Sequence, residues 1–243
     1  MNHLADISLV LVSETASKLW IPALISIIFA GFGRAVRGVT TSGSLAGALV
    51  CFALLLGAGP PGFVALLVVF LLTWVATRVG YARKQGLGTA EPRAGRSAAQ
   101  VFANLGVAVI CALIYATAWR DPRILIALTA ALAEAAADTV SSEIGQAVGG
   151  TPRLVTNWKP VPAGTDGAIT LAGTATGVAA AIAVSLTGIV AWRSALICAA
   201  AAAIGTVADS LLGATLERRG FLGNNAVNFA STAIASLIGF LIA

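Results

Sequence analysis

The chain has 243 residues, 58% of them hydrophobic and only 10% charged, with a mean hydropathy of +0.92. Soluble globular chains carry about 25% charged residues, so the composition excludes a soluble domain and specifies an all-α, polytopic transmembrane helical bundle. The net charge of +5 fits membrane topology and anionic lipid, and no nucleic-acid partner is expected.

The candidate spans, in chain order, are 7–33, 42–58, 62–80, 98–118, 123–148, 167–191, 194–215 and 222–242, each close to the ~20 apolar residues that a crossing needs. This gives about eight helices, or seven if the first is interfacial, because Glu14 and Lys18 interrupt it. The whole of 1–243 reads as one membrane domain. The N-terminus has no basic stretch of the signal-peptide kind, so no cleaved leader is expected. AGPPG at 58–62 is a tight turn between antiparallel helices. Glycine pairs at small-xxx-small spacing, Gly43/Gly47, Gly145/Gly149 and Gly173/Gly177, suit helices that pack backbone to backbone. Cys51, Cys111 and Cys198 lie in separate apolar segments without CxxC spacing and read as small packing residues.

Charge tests the count. Odd-numbered loops hold eleven basic residues and even-numbered loops only three, Arg120, Arg123 and Arg193. This positive-inside pattern puts the odd loops in the cytoplasm, including 81–97 and 149–166. Polar residues gather on the same side: Gln100 and Asn104 where the fourth span leaves it, Asp138, Ser142 and Glu143 where the fifth returns, Asp209 near the end of the seventh, and Asn224, Asn225 and Asn228 at the start of the eighth.

Ionisable groups at membrane depth cost several kcal/mol unless paired, hydrated or metal-bound. Glu134, Asp138 and Ser142 recur every four residues and share one stripe of a helix. Glu143 is turned about 140° from Asp138 and joins it only if the helix ends or bends near Gly145. Asp138 and Asp209 make a pair suited to a Mg²⁺ that keeps waters and borrows phosphate oxygens; the alternatives are structural pairing of these acids with arginines such as Arg153 or Arg218, and a proton or ion pathway. Loop 149–166 carries Arg153 and Lys159, the latter followed by Pro160 and Pro162, and ends in Gly164, Thr165 and Asp166 before the sixth span. That stretch reads either as a phosphate-binding helix start or as a capping turn with Thr165 or Asp166 as N-cap. Arg83, Lys84, Arg93 and Arg96 in loop 81–97 set topology or meet phosphate. The Asn/Gln groups bridge helices or read a base or phosphate. Trp20, Trp74, Trp119, Trp158 and Trp192 fall mostly near span ends, as interfacial anchors do.

Taken together, the blocks RKQGLG, RSAAQVFANLG, ALAEAAADTVSSEIGQ, TPRLVTNWKPVPAGTDGAITLAGTATG, ADSLLGATLERRG and GNNAVNFAST resemble the integral-membrane family of plant phytyl-phosphate kinases, from about Arg34 to the C-terminus. The resemblance implies phosphorylation of a prenyl or phytyl monophosphate to the diphosphate by a nucleoside triphosphate, with CTP the leading donor; Mg²⁺ is the cofactor that the acid pair suggests. Within the family pattern, Asp138, Ser142 and Glu143 fill a D-T-x-x-S-E block. Lys159 and Pro162-x-Gly164-Thr165 fill the loop block, Asp209 a D-S-L-L-G block, and Asn224, Asn225 and Asn228 an N-N-x-x-N block. The site so expected has Asp138, Glu143 and Asp209 on the metal and Asp138, Lys159 and Asp209 as catalytic residues. Arg83, Lys84, Gln100, Asn104, Ser142, Arg153, Gly164, Thr165, Asn224, Asn225 and Asn228 would bind substrate or nucleotide. The site would face the cytoplasm from a bacterial plasma membrane. Rival readings are a carrier or flippase for an anionic lipid or solute, for which polar residues on both sides are expected, and a lipid-phosphate nucleotidyltransferase.

Overall fold

The computed structural model describes the backbone from Asn2 to Ala243 and the side chains from Leu19 onward; Glu14 and Lys18, which weaken the first expected span, lie outside the described side chains. The helices are α1 (Asn2–Ala35), α2 (Thr41–Arg78), α3 (Tyr81–Leu87), α4 (Ala98–Thr117), α5 (Pro122–Val148), α6 (Leu171–Ser185), α7 (Trp192–Leu212) and α8 (Asn224–Ile242). A π-helical turn, Gly213–Glu217, extends α7. Two short antiparallel strands, β1 (Arg153–Leu154) and β2 (Ala168–Ile169), lie between α5 and α6. The protein is an all-α polytopic membrane protein. Among the described residues, five helical segments are long and apolar enough to cross a bilayer (Thr41–Arg78, Ala98–Thr117, Pro122–Val148, Trp192–Glu217 and Asn224–Ile242), and the Leu19–Ala35 part of α1 and Leu171–Ser185 are shorter apolar stretches.

α2 holds two of the expected spans. Gly59, at φ 65 and ψ −155, interrupts it just before Pro60 and Pro61. A Cβ on Gly62 would come within 2.7 Å of the Leu54 carbonyl oxygen. In a continuous helix eight residues are about 12 Å apart, so the chain doubles back here as a helical hairpin.

The sixth span is shorter than expected. Residues up to Ile169 belong to the β1–β2 hairpin, and the N-cap of α6 is Thr170, whose hydroxyl accepts from Gly173 N–H at 3.1 Å. Neither Thr165 nor Asp166 caps it. Loop 81–97 likewise contains a helix, α3, that its Gly-rich composition did not announce.

α5 is the hub. It packs against α2, α4, α6, α7 and α8 and is buried without a break from Ile126 through Ala137. Alanine and glycine make such close approach possible: a Cβ on Gly177 would lie 2.8 Å from the Ala137 carbonyl oxygen, and Gly145 faces Thr170 and Gly173 across the same crossing. Without side chains at these points, dispersion contacts between backbones hold the helices together in lipid. At the opposite end of α5, Asp121 caps the helix and binds Arg123, whose hydrogen bonds hold the Asp121 carboxyl below its usual range.

Candidate functional site

The polar helix ends converge on one cavity of about 320 Å³. α5 supplies Asp138, Thr139, Ser142 and Glu143; α7 and its π turn supply Asp209, Ser210 and Glu217; α4 supplies Gln100 and Asn104; α8 supplies Asn224 and Asn228. The segment 163–170, running from Ala163 through Gly164, Thr165, Asp166 and Gly167 to the α6 N-cap Thr170, closes one wall. Gly167 makes that closure possible. It sits at φ +72, and a Cβ there would collide with the Ser210 carbonyl oxygen and the Ala214 amide, a conformation and an approach that suit only glycine. Gly164, at φ +86, lies against the Thr89 methyl and joins this loop to loop 81–97. The π turn follows Asp209 within a few residues, and such turns are frequent at functional sites.

Asp138 and Asp209, from different helices, have their carboxyls within reach of one another, and Glu134 stands one turn deeper on α5. Glu134 is buried, packed against Gly205, and its Oε1 has no partner; the buried Oδ2 of Asp209 has none either. Neither Arg153 nor Arg218 neutralises these acids: among the described residues the ion pairs are Lys84–Glu143 and Arg123–Asp121. The cavity is lined by six carboxylates, Glu91, Asp138, Glu143, Asp166, Asp209 and Glu217, and among the described residues its one basic side chain is Arg96. Arg96 donates to the Thr139 hydroxyl at 3.3 Å and lies in the field of Asp138.

The expected metal triad does not assemble. α5 runs helically to Val148, so Glu143 keeps its turn away from Asp138 and faces α2. There it accepts from the Thr77 hydroxyl at 3.2 Å and from the Lys84 ammonium. Among the described residues no three His, Cys, Asp or Glu side chains form a metal-holding group. Asp138 and Asp209 nevertheless fit a Mg²⁺, which takes one or two carboxylates and completes its octahedron with water and phosphate oxygens. The unpartnered Asp209 oxygen is a free ligand for it.

Of the expected binding residues, Gln100, Asn104, Ser142, Gly164, Thr165, Asn224 and Asn228 line the cavity. Several are also engaged structurally: Gln100 completes a capping box with Ser97 and donates to Glu91 at 2.5 Å, Asn104 donates to Gln100 O at 2.8 Å, and Asn228 donates to Asn104 at 3.4 Å. The other expected residues lie elsewhere. Lys84 is 1% exposed and spends its three N–H bonds on the α2 carbonyls Ala76 and Thr77, at 3.0 and 2.8 Å, and on Glu143. Arg83 lies over Gly149 at the end of α5. Arg153 binds the Trp158 carbonyl at 2.8 Å within the hairpin, and the Lys159 side chain is exposed outside the cavity lining. Asn225 faces outward with Phe102 and Phe229. Arg96 and Glu91, both lining, were not among the expected site residues; the i+3 capping pair Ser97–Gln100 was the local signal that Arg96 sits at a helix start.

A helical integral membrane protein with an acidic, one-sided polar cavity at the ends of five helices is the class that fold and site define. Its sequence matches the family described as Integral membrane protein DUF92 over residues 24–236, and the chain belongs to that family. Among its relatives are the uncharacterized membrane protein MJ0933 of Methanocaldococcus jannaschii, 34% identical over 94% of this chain and 96% of its own, and protein VTE6, chloroplastic, of Arabidopsis thaliana, 30% identical over 94% and 73%. Protein PGR of the same plant is 29% identical over 91% and 94%. No solved structure matches the chain.

Proposed function

We propose that the protein is a membrane-embedded prenyl-phosphate kinase that moves a phosphoryl group from a nucleoside triphosphate, CTP by preference, to a polyprenyl or phytyl monophosphate. The observation that carries this reading is the apposition of Asp138 and Asp209 in a cavity lined by five carboxylates besides the Lys84-paired Glu143 and by one guanidinium. A triphosphate enters such a field only with divalent cations. Asp138 and Asp209 would hold Mg²⁺, which supplies neutralisation of the donor phosphates. The motif resemblance to phytyl-phosphate kinases favours a lipid-phosphate acceptor. The density of basic residues in the odd loops favours a cytoplasmic site in a bacterial plasma membrane.

The acceptor is already an anion, so the reaction needs alignment and charge compensation rather than a strong base. An acceptor phosphate oxygen attacks the terminal phosphorus of the donor. The bond from that phosphorus to the bridging oxygen breaks, and the nucleoside diphosphate leaves with the electron pair. Arg96 is placed to compensate charge on the phosphates, and the N-terminal turn of α6 from Thr170 offers amide dipoles to the same end. Asn104 and Asn228, bonded to each other, can orient donor or acceptor.

The test is purified protein with geranylgeranyl or phytyl phosphate, Mg²⁺ and labelled CTP, ATP, GTP or UTP. Lipid diphosphate together with nucleoside diphosphate is the expected result. Absence of product with every pairing refutes the kinase reading, and release of pyrophosphate identifies a nucleotidyl transfer instead.

A further inference from the structure

A second cavity, about 390 Å³, lies between α1, both halves of α2 and α4, within the roughly 300–1,000 Å³ typical of small-ligand cavities. Its interior is apolar, walled by Phe29, Leu66, Val69, Phe70, Val101 and Leu105. Phe29 and Phe70 meet edge to face at 5.6 Å and form a rigid wall. Gly33 and Gly47 also line it, and a Cβ on Gly47 would meet nothing within 4 Å. The end nearest the loops is different in kind: Arg37, Arg78, Arg93 and Arg96 stand there. Arg78 is fixed by its bond to the Val36 carbonyl at 2.6 Å and by stacking on Trp74 at 3.8 Å.

The two cavities share a wall. Glu91, Arg96, Gln100 and Asn104 line both, so Arg96 stands where an apolar chamber rimmed with guanidinium groups meets an acidic chamber holding the Asp138–Asp209 pair. An amphiphile with one aliphatic chain and a phosphate head matches that sequence of environments. The chain would be shielded from water among Phe29, Phe70 and Leu105, and the head would meet Arg96 at the boundary. A nucleotide has no aliphatic chain to fill the apolar chamber, which leaves it the acidic one.

We propose that the cavity between α1, α2 and α4 seats the prenyl chain of the lipid monophosphate, and that Arg96 binds its phosphate at the junction. This rests on the prenyl-phosphate reading and assigns its acceptor subsite. The chain then enters from the α1–α2 side, and the nucleotide enters from the loop side of the acidic chamber.

The experiment uses the full chain in detergent and in bilayer discs, without nucleotide, with a geranylgeranyl phosphate carrying a diazirine at the far end of the chain. After irradiation the labelled peptides are mapped. Label on α1 around Phe29–Gly33, on α2 around Leu66–Phe70 and on α4 around Val101–Leu105, displaced by unlabelled geranylgeranyl phosphate, is the expected result. Arg96→Gln should weaken labelling about tenfold or more, as loss of a charged hydrogen bond does. Gly47→Phe, which fills open space, should do the same, with Gly47→Ala intermediate and the helical circular-dichroism signal and monodispersity of each matching the parent. Label on other helices, equal displacement by geranylgeraniol or by a diacyl phospholipid, or indifference to both Arg96→Gln and Gly47→Phe overturns the assignment. The two claims separate cleanly: labelling of this cavity without any diphosphate formation refutes the kinase reading alone, and turnover with label elsewhere refutes the cavity assignment alone.

Discussion

Glu143 provides the sharpest test of how this site is built, because sequence pattern assigns it to the metal and the structure gives it to Lys84. The Lys84 ammonium is 1% exposed and its partner carboxylate 12%. Glu143→Ala leaves that buried cation with only the Ala76 and Thr77 carbonyls, at 3.0 and 2.8 Å. An uncompensated buried charge of this kind costs about 3–5 kcal/mol. The Thr77 hydroxyl adds little to the loss, since it keeps its bond to the Thr73 carbonyl at 2.8 Å. Lys84→Met removes the charge that has to be buried, and the less buried Glu143 retains the Thr77 hydroxyl, so this variant should lose only about 1–3 kcal/mol. The double variant Lys84→Met/Glu143→Leu should be more stable than Glu143→Ala, because replacing a whole buried pair with apolar groups is often neutral. Denaturation of the four proteins in mixed micelles, read by helical circular dichroism, gives the double-mutant cycle. If Glu143→Ala is as stable as the parent yet needs more Mg²⁺ for turnover, the pairing is incidental and Glu143 is a metal ligand after all.

Asp138→Asn and Asp209→Asn should each lower phosphoryl transfer by about a hundredfold or more, with protein yield unchanged because neutral amides are easier to bury; turnover at the parental rate in either refutes the metal pair. Lys159→Ala, altering an exposed side chain outside the cavity lining, should change kcat/KM less than about threefold, an effect under 1 kcal/mol; a loss near that of Asp138→Asn would mean that the hairpin closes over the site. Gly167→Ala should destabilise the protein by about 1–3 kcal/mol through strain at positive φ and reduce turnover as well, since the cavity wall can no longer dock on α7; unchanged melting and turnover would show that this contact is dispensable.

The helical membrane architecture was legible because bilayer solvation acts on local composition: apolar runs of span length, the AGPPG reversal realised at Gly59, and most polar residues gathered at one set of span ends. The pairing of Asp138 with Asp209 was also visible, since helix ends on one side of a short bundle have few places to go. What spacing could not supply is direction. Whether Glu143 joined Asp138 depended on α5 staying helical past Gly145, and the partner that drew it aside, Lys84, lies on a helix that composition had read as loop. Lys159 and Arg96 were equally basic loop residues in the sequence. A two-residue strand pairing carried Lys159 away from the cavity, and a capping box at Ser97 held Arg96 beside it. Helix existence is decided by each segment's own transfer energy to lipid and hydrogen bonding. The orientation of a single charged side chain is decided by which buried partner, from distant sequence, can compensate it.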